Sequence, residues 1–174
     1  MKNVILHGIQ TSWDLFWGAR VIAKMEGLPV TIFGGKHANE DEKVSQQAFW
    51  VAQELVSQGF SVLTGGGPGV MTAANCGAHN KAQELAKKGI WSAGVGVKGV
   101  DTDFANPCAN VYRTHDFYSR KFLLMYYAVA VIIFPGGIGT MDEFFELLNL
   151  IKTHKVAQIP IILVDSIYWK GITD

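Results

Sequence analysis

Short, β-branched apolar runs alternate along the chain with longer stretches in which apolar residues recur at helical spacing. Val30-Thr31-Ile32-Phe33 is one such run and ends in Gly34-Gly35, which predicts a first core strand. Over residues 40–58, Val44, Ala48, Ala52, Leu55 and Val56 fall on one stripe and Gly59 supplies a stop, the pattern of an amphipathic helix. Phe60-Ser61-Val62-Leu63-Thr64 predicts a second strand that runs directly into Gly65-Gly66-Gly67-Pro68-Gly69. Pro68 suits the first turn of a helix, whose apolar face continues as Met71, Ala74 and Ala78. Strands follow at 92–97 and, briefly, at 109–113. Asp116 is placed to N-cap a helix in which Phe117, Arg120 and Leu124 recur at i, i+3 and i+7. A strand from Val131 enters the turn Pro135-Gly136-Gly137-Ile138-Gly139-Thr140. The helix after it carries Phe144, Leu147, Leu148 and Ile151 inward, and 158–164 is the last strand.

Strand and helix taking turns in this way predict an α/β fold: a Rossmann-like, doubly wound parallel sheet with helices on both faces. The length of 174 residues suits a single domain, 1–174. Residues 1–28 read as an N-terminal extension, a short extended piece and then a helix from about Asp14 to Met25. Ser12 or Asp14 is the candidate cap, and Gly27 with Pro29 ends it. This segment is either an interface element or a cover for one edge of the sheet. The helix from Phe117 to Tyr127 is apolar on nearly every side, which a surface helix does not need, so it predicts burial by a second subunit.

Chemistry concentrates where strands meet glycines. Gly136, Gly137 and Gly139 let backbone approach an anion, and the first-turn amides after them carry the positive end of the helix dipole. Thr140 can add a hydroxyl, and Glu143 stands at i+3 on the same face. Thr140-Met141-Asp142-Glu143 also fits a capping box, in which Thr and Glu only satisfy the helix's own amides. A plain cap has no use for Gly-Gly-x-Gly, whereas a cradle for an anion does. Neither glycine loop spells the dinucleotide fingerprint or a P-loop, which disfavours NAD enzymes and P-loop NTPases. Arg120 lies on an apolar stripe, where an unpaired guanidinium is costly, unless it snorkels at a helix end.

Composition narrows the rest. Hydrophobic residues make up 49% and charged ones 17%, a surface lean in charge that hints at burial against another subunit. Fifteen basic and fifteen acidic residues cancel, so no basic footprint for nucleic acid exists. Cys76 and Cys108 make no framework and read as free thiols. The five histidines show no ligand spacing, so neither a metal nor a cofactor is expected. The longest uncharged apolar run, Phe122 to Phe134, is too short to span a bilayer, and no signal peptide is evident. A soluble, cytoplasmic protein is expected.

Pro135-Gly136-Gly137-Ile138-Gly139-Thr140-Met141-Asp142-Glu143 resembles the PGGxGTxxE signature of the Lonely Guy (LOG) family, also labelled "lysine decarboxylase-like". Phe117-Tyr118-Ser119-Arg120-Lys121 is similar to the family's Arg-Lys motif, and Gly65 through Asn75 is close to its second glycine loop. Asn106-Pro107, the first strand and Tyr168-Trp169-Lys170-Gly171 match as well, and Ser12-Trp13 with its helix looks like the extension of the longer bacterial type. Three departures stand out. The family's FGSAR is Phe33-Gly34-Gly35-Lys36-His37 here, Thr72 replaces a Glu, and the chain ends at Asp174 where relatives continue through another helix.

The resemblance implies a phosphoribohydrolase that cleaves the N-glycosidic bond of nucleoside 5′-monophosphates and works as a homodimer or larger oligomer. It implies Arg120 and Glu143 as catalytic residues. Gly66, Gly67, Lys121, Gly136, Gly137, Gly139 and Thr140 would hold substrate and phosphate. Arg120 is expected to keep Glu143 ionised. The alternative is a non-catalytic nucleotide or molybdenum-cofactor carrier on the same fold. Amino-acid decarboxylation has no pyridoxal-phosphate lysine context behind it.

Overall fold

A computed structural model describes residues 2–36, 42–100 and 104–173. Its sheet has six strands, β1 (Leu28–Phe33), β2 (Phe60–Thr64), β3 (Ser92–Val97), β4 (Asn110–Thr114), β5 (Ala130–Ile133) and β6 (Ile161–Leu163). The order is β4-β3-β2-β1-β5-β6, and every neighbouring pair is parallel. The helices are α1 (Lys2–Ile22), α2 (Glu42–Ser57), α3 (Val70–Glu84), α4 (Phe117–Tyr126), α5 (Ile138–Lys152) and α6 (Ser166–Thr173). This is the doubly wound α/β arrangement that the alternation predicts. The central strands are apolar on both faces, as parallel strands covered on two sides must be. One core, around Phe33, Leu63, Leu123, Ile133 and Leu147, lies on one side of the sheet. The other, around Ile32, Val62, Ala48, Ala74 and Phe134, lies on the opposite side, where α2 and α3 pack.

The N-terminal segment departs from expectation. It is one helix from Lys2 to Ile22 with no extended piece, so neither Ser12 nor Asp14 caps it. Asp14, Gly18 and Ile22 are its buried positions, four residues apart. The buried stripe includes an acid and a glycine, which hides it from an apolar-periodicity reading. Gly18 has a packing reason: a side chain there would run into Leu123 of α4. The large apolar residues Ile5, Ile9, Trp13 and Phe16 sit on the opposite, exposed face.

The cysteines also depart from expectation. Cys76 on α3 and Cys108 before β4 form a disulfide, with Cα atoms 4.8 Å apart. Their separation of 32 residues carries no sign of this, because only the folding of the 104–109 loop back onto α3 brings them together. His37 and the predicted helix start at Glu40 lie outside the described residues. No helix among the described residues is long and apolar enough to cross a membrane.

Candidate active site

Strand order reverses between β1 and β5, and a crevice opens outside the carboxyl ends of strands at such a switch point. A cavity of about 680 Å³ occupies it. Gly66, Gly67, Arg120, Lys121, Gly136, Gly137, Gly139, Thr140 and Glu143 all line this one cavity. The turns after β1 and β5 are laced together. Gly35 N donates to Pro135 O at 3.0 Å, and a Cβ on Gly35 would lie 3.2 Å from both Pro135 O and Gly136 Cα.

The helix leaving the signature loop starts at Ile138, and its N-cap is Gly137, with no side chain capping it. Thr140 therefore sits at the third helical position and Glu143 at the sixth, so the pair is not a capping box. Thr140 is buried and folds against Gly136. The first-turn amides of α5 are left for whatever occupies the cavity.

Glu143 is 6% exposed, and its Oε1 accepts a hydrogen bond from Arg120 Nη1 at 2.6 Å. Arg120 Nε donates to Val95 O at 3.2 Å, which anchors the guanidinium to β3. A side chain at Gly65 would collide with that guanidinium and with Met71. Arg120 is thus a paired, positioned cation and not a snorkelling one. Burial raises the Glu143 pKa above the ordinary carboxylate range; the charge and hydrogen bond of Arg120 oppose this without reversing it. Arg120 thus favours the ionised carboxylate, as expected, while desolvation works against it.

Lys121 Nζ bridges Asp142 Oδ2 at 2.6 Å and Glu146 Oε2 at 2.7 Å. Burial, the largest single influence on Lys121, works against its charge, but the two carboxylates together raise its pKa. Adjacent residues of α4 thus clamp α5 twice, through Glu143 and through Asp142 with Glu146.

The β2 side of the cavity is held from below. Thr64 Oγ1 donates to Asn75 Oδ1 (2.7 Å) and accepts from Gly66 N (2.9 Å). Asn75 Nδ2 donates to Ser92 Oγ and Ala93 O, and Asn106 Nδ2 donates to Asn75 Oδ1 at 3.0 Å. Thr72 spends its hydroxyl on Gly67 O at 2.7 Å. At the far side of α4, Asp116 caps its helix through Ser119 N and also accepts from Thr11 of α1. Asp14 takes the ring Nδ1 of His115 at 3.0 Å and the hydroxyl of Tyr112 at 3.3 Å, and burial followed by Asp14's charge pushes Tyr112 up to about 12.

Lys36, Arg113 and Tyr168 also line the cavity and were not among the residues expected there. Lys36 stands in the turn that departs from FGSAR, which was its available signal. Tyr168 hydrogen-bonds the backbone of Gly136 from α6. Arg113 is one residue in a short edge strand, with no pattern to distinguish it. Among the described residues, no cluster of three metal-ligating side chains occurs.

A family model described as "Possible lysine decarboxylase" matches residues 71–174. The chain is 30% identical over 138 residues to the pyrimidine/purine nucleotide 5′-monophosphate nucleosidase of Escherichia coli strain K12, which covers 77% of this chain and 30% of that protein. It is 28% identical over 128 residues to the probable cytokinin riboside 5′-monophosphate phosphoribohydrolase LOGL1 of Oryza sativa subsp. japonica, covering 69% of this chain and 52% of that one. The chain therefore spans about a third to a half of these relatives' lengths. The molybdenum cofactor binding protein of Rippkaea orientalis shares the fold, with a TM-score of 0.62 at 21% identity over 84% of this chain and 83% of that one.

Proposed function

The chain belongs to the Lonely Guy family, and from that premise we propose that it hydrolyses the N-glycosidic bond of nucleoside 5′-monophosphates, releasing free base and ribose 5-phosphate. One observation carries the reading: a buried carboxylate paired to a fixed arginine opens onto the same cavity as the uncapped N-terminus of α5. The 5′-phosphate sits on the amides around Gly137, Gly139 and Thr140, where the helix dipole favours an anion. That places the ribose against Glu143.

Cleavage breaks the C1′–N bond, and its electron pair leaves with the base as positive charge develops on the ribose. The ionised Glu143 stabilises that charge and takes a proton from the attacking water, whose oxygen becomes the C1′ hydroxyl, and the departing base takes up a proton from solvent as Glu143 gives up its own. Arg120 holds Glu143 in place and, through Val95, holds itself. Gly66 and Gly67 form the opposite wall, and Lys121 fixes the distance between α4 and α5. Amides oriented before substrate arrives let phosphate binding position the ribose, which raises turnover as well as affinity.

Incubation with a panel of nucleoside monophosphates, scored for free base and ribose 5-phosphate, tests the reading. Tight nucleotide binding with no release of base would favour a carrier instead.

We further infer a homo-oligomer. Ile5, Ile9, Trp13 and Phe16 on α1 and Tyr118 and Tyr126 on α4 are all more than half exposed, and α1 packs on α4, so their outer faces adjoin. Sedimentation at micromolar concentration checks it: Trp13→Asp with Phe16→Asp should dissociate the assembly, and a wild-type monomer would overturn it.

A further inference from the structure

Beyond Arg120 and Glu143 the cavity continues along β3 and β4, where Gly96, Val97, Val111, Arg113 and Phe117 line it. Gly96 lies inside β3, yet the chain itself does not require a glycine there. A Cβ at that position would meet nothing nearer than Val111 Cγ1 at 3.4 Å and Arg113 Cγ at 3.6 Å, which are ordinary contacts. Its neighbour Gly94 differs, since a Cβ there would lie 2.8 Å from Gly66 Cα. A strand-interior glycine with room above it marks a place where something else lies close to the backbone.

Arg113 is the register partner of Gly96, and its stem lies beside that glycine. Its Nη2 donates to Phe104 O at 3.0 Å, which fixes the head of the side chain. Among the described residues no carboxylate pairs with it. A guanidinium offers five N–H donors and no acceptor, so most of its donors remain for a ligand.

We propose that Gly96 and Arg113 form the base subsite of this cavity, and that Arg113 selects 6-oxopurine nucleotides over 6-aminopurine ones. The proposal rests on the nucleotide reading above. With the phosphate at the β5 end and C1′ beside Glu143, the base extends toward β4, where the same cavity continues past Arg120 to Gly96 and Arg113. The ring lies flat on Gly96, walled by Val111 and Phe117. Guanine and hypoxanthine present O6 and N7, two acceptors that match parallel guanidinium N–H groups. Adenine presents an amino donor in place of O6, so a donor faces a donor and both lose their partners. The contact also strengthens during reaction. The C1′–N pair of electrons passes into the purine ring, and a cation at O6 and N7 stabilises that charge.

The test compares GMP, IMP and AMP on the wild type, Arg113→Met and Gly96→Val, with kcat/KM from ribose 5-phosphate release and Kd from calorimetry. Inorganic phosphate binding serves as the check that each variant is folded and keeps its α5 site. Wild type should favour GMP and IMP over AMP by on the order of tenfold or more. Arg113→Met should bring the three within about twofold, mainly by lowering kcat/KM for the oxopurines. Gly96→Val should weaken all three nucleotides while phosphate binding is kept. Equal handling of GMP and AMP by the wild type would overturn the proposal, as would a preference that survives Arg113→Met. Should no nucleotide be hydrolysed, an Arg113-dependent difference in Kd still supports the base subsite while retiring the hydrolase reading. Hydrolysis without base preference does the reverse.

Discussion

Two strand–glycine–helix junctions face each other across the cavity, and they match position for position. Each helix has a glycine N-cap, Gly69 or Gly137. Each has a threonine at the third helical residue, Thr72 or Thr140, and a polar residue at the sixth, Asn75 or Glu143. Their chemistry diverges completely. The β2 junction satisfies itself: Val70 N donates to Gly35 O, Thr72 to Gly67 O, and Asn75 uses both ends of its amide inside the protein. Its glycines are structural, since Gly66 and Gly69 have φ of 73° and side chains there would meet Val111 and the Lys36 carbonyl. At the β5 junction a Cβ on Gly137 or Gly139 would meet nothing within 4 Å, and neither has positive φ. The same pattern therefore builds a wall on one side and, on the other, a cradle open to the cavity.

Replacing the sixth residue breaks this contrast most severely. Glu143→Gln makes the β5 junction resemble the β2 one, a neutral amide in place of a charge. Turnover should fall by roughly two or more orders of magnitude, while the glutamine still accepts from Arg120 and the thermal unfolding midpoint changes little. Measured kcat and a melting curve check both halves. Unchanged turnover would mean that Glu143, like Asn75, is structural. Removing the phosphate from the substrate is the companion test: adenosine should be cleaved roughly a hundredfold or more slowly than AMP, because the cradle then holds nothing. Equal rates would make both glycine loops structural.

Glycine substitutions sharpen the comparison at smaller scale. Gly66→Ala should cost about 1–3 kcal/mol of stability, since it forces a side chain into positive φ and against Val111. Gly139→Ala lies in a helix with open space around it, so stability should hold or rise slightly. Its effect should appear as an increased KM for the monophosphate, through crowding of the bound anion. Denaturant unfolding and steady-state kinetics on the two variants separate the roles. The opposite pattern would exchange wall and cradle.

These junctions also explain what the sequence could disclose. Strand identities came from β-branched runs bounded by glycines, and that signal is strong in buried parallel strands such as β1 and β5. The cavity-lining glycines and the Arg120–Glu143 pair were legible because they carry a dense local signature. Arg113 was not, since a base subsite depends on which edge-strand residue the sheet sets beside Gly96, a long-range fact. The helix α1 escapes a sequence reading for a different reason. Its buried stripe runs through Asp14, Gly18 and Ile22, and Asp14 is tolerated there only because His115 and Tyr112 bring donors to it. The disulfide was hidden in the same way, by a loop whose path no local pattern encodes. That Thr140 and Glu143 are not a capping box needed only the helix start to decide it.

The smallest expected effect is a shift in pH dependence, and it falls on the β5 junction alone, because Asn75 does not titrate. Burial raises the Glu143 pKa above its usual value of 4.5, with Arg120 opposing. Catalysis needs the ionised form, so kcat/KM should lose activity with falling pH at a limb set above the ordinary glutamate value. Arg120→Met removes the opposing influence and should move the limb further up, whereas Arg120→Lys should move it less. Stability carries the reverse of the usual carboxylate sign. A folded-state pKa above the unfolded one means that the native protein binds this proton more tightly. Glu143 therefore lowers stability as pH rises from its unfolded value through its folded one. Glu143→Gln should flatten that part of the stability profile. A kcat/KM limb at or below the ordinary glutamate value, unaltered in Arg120→Met, would show that burial does not control this carboxylate and that its resemblance to the buried Asn75 is only positional.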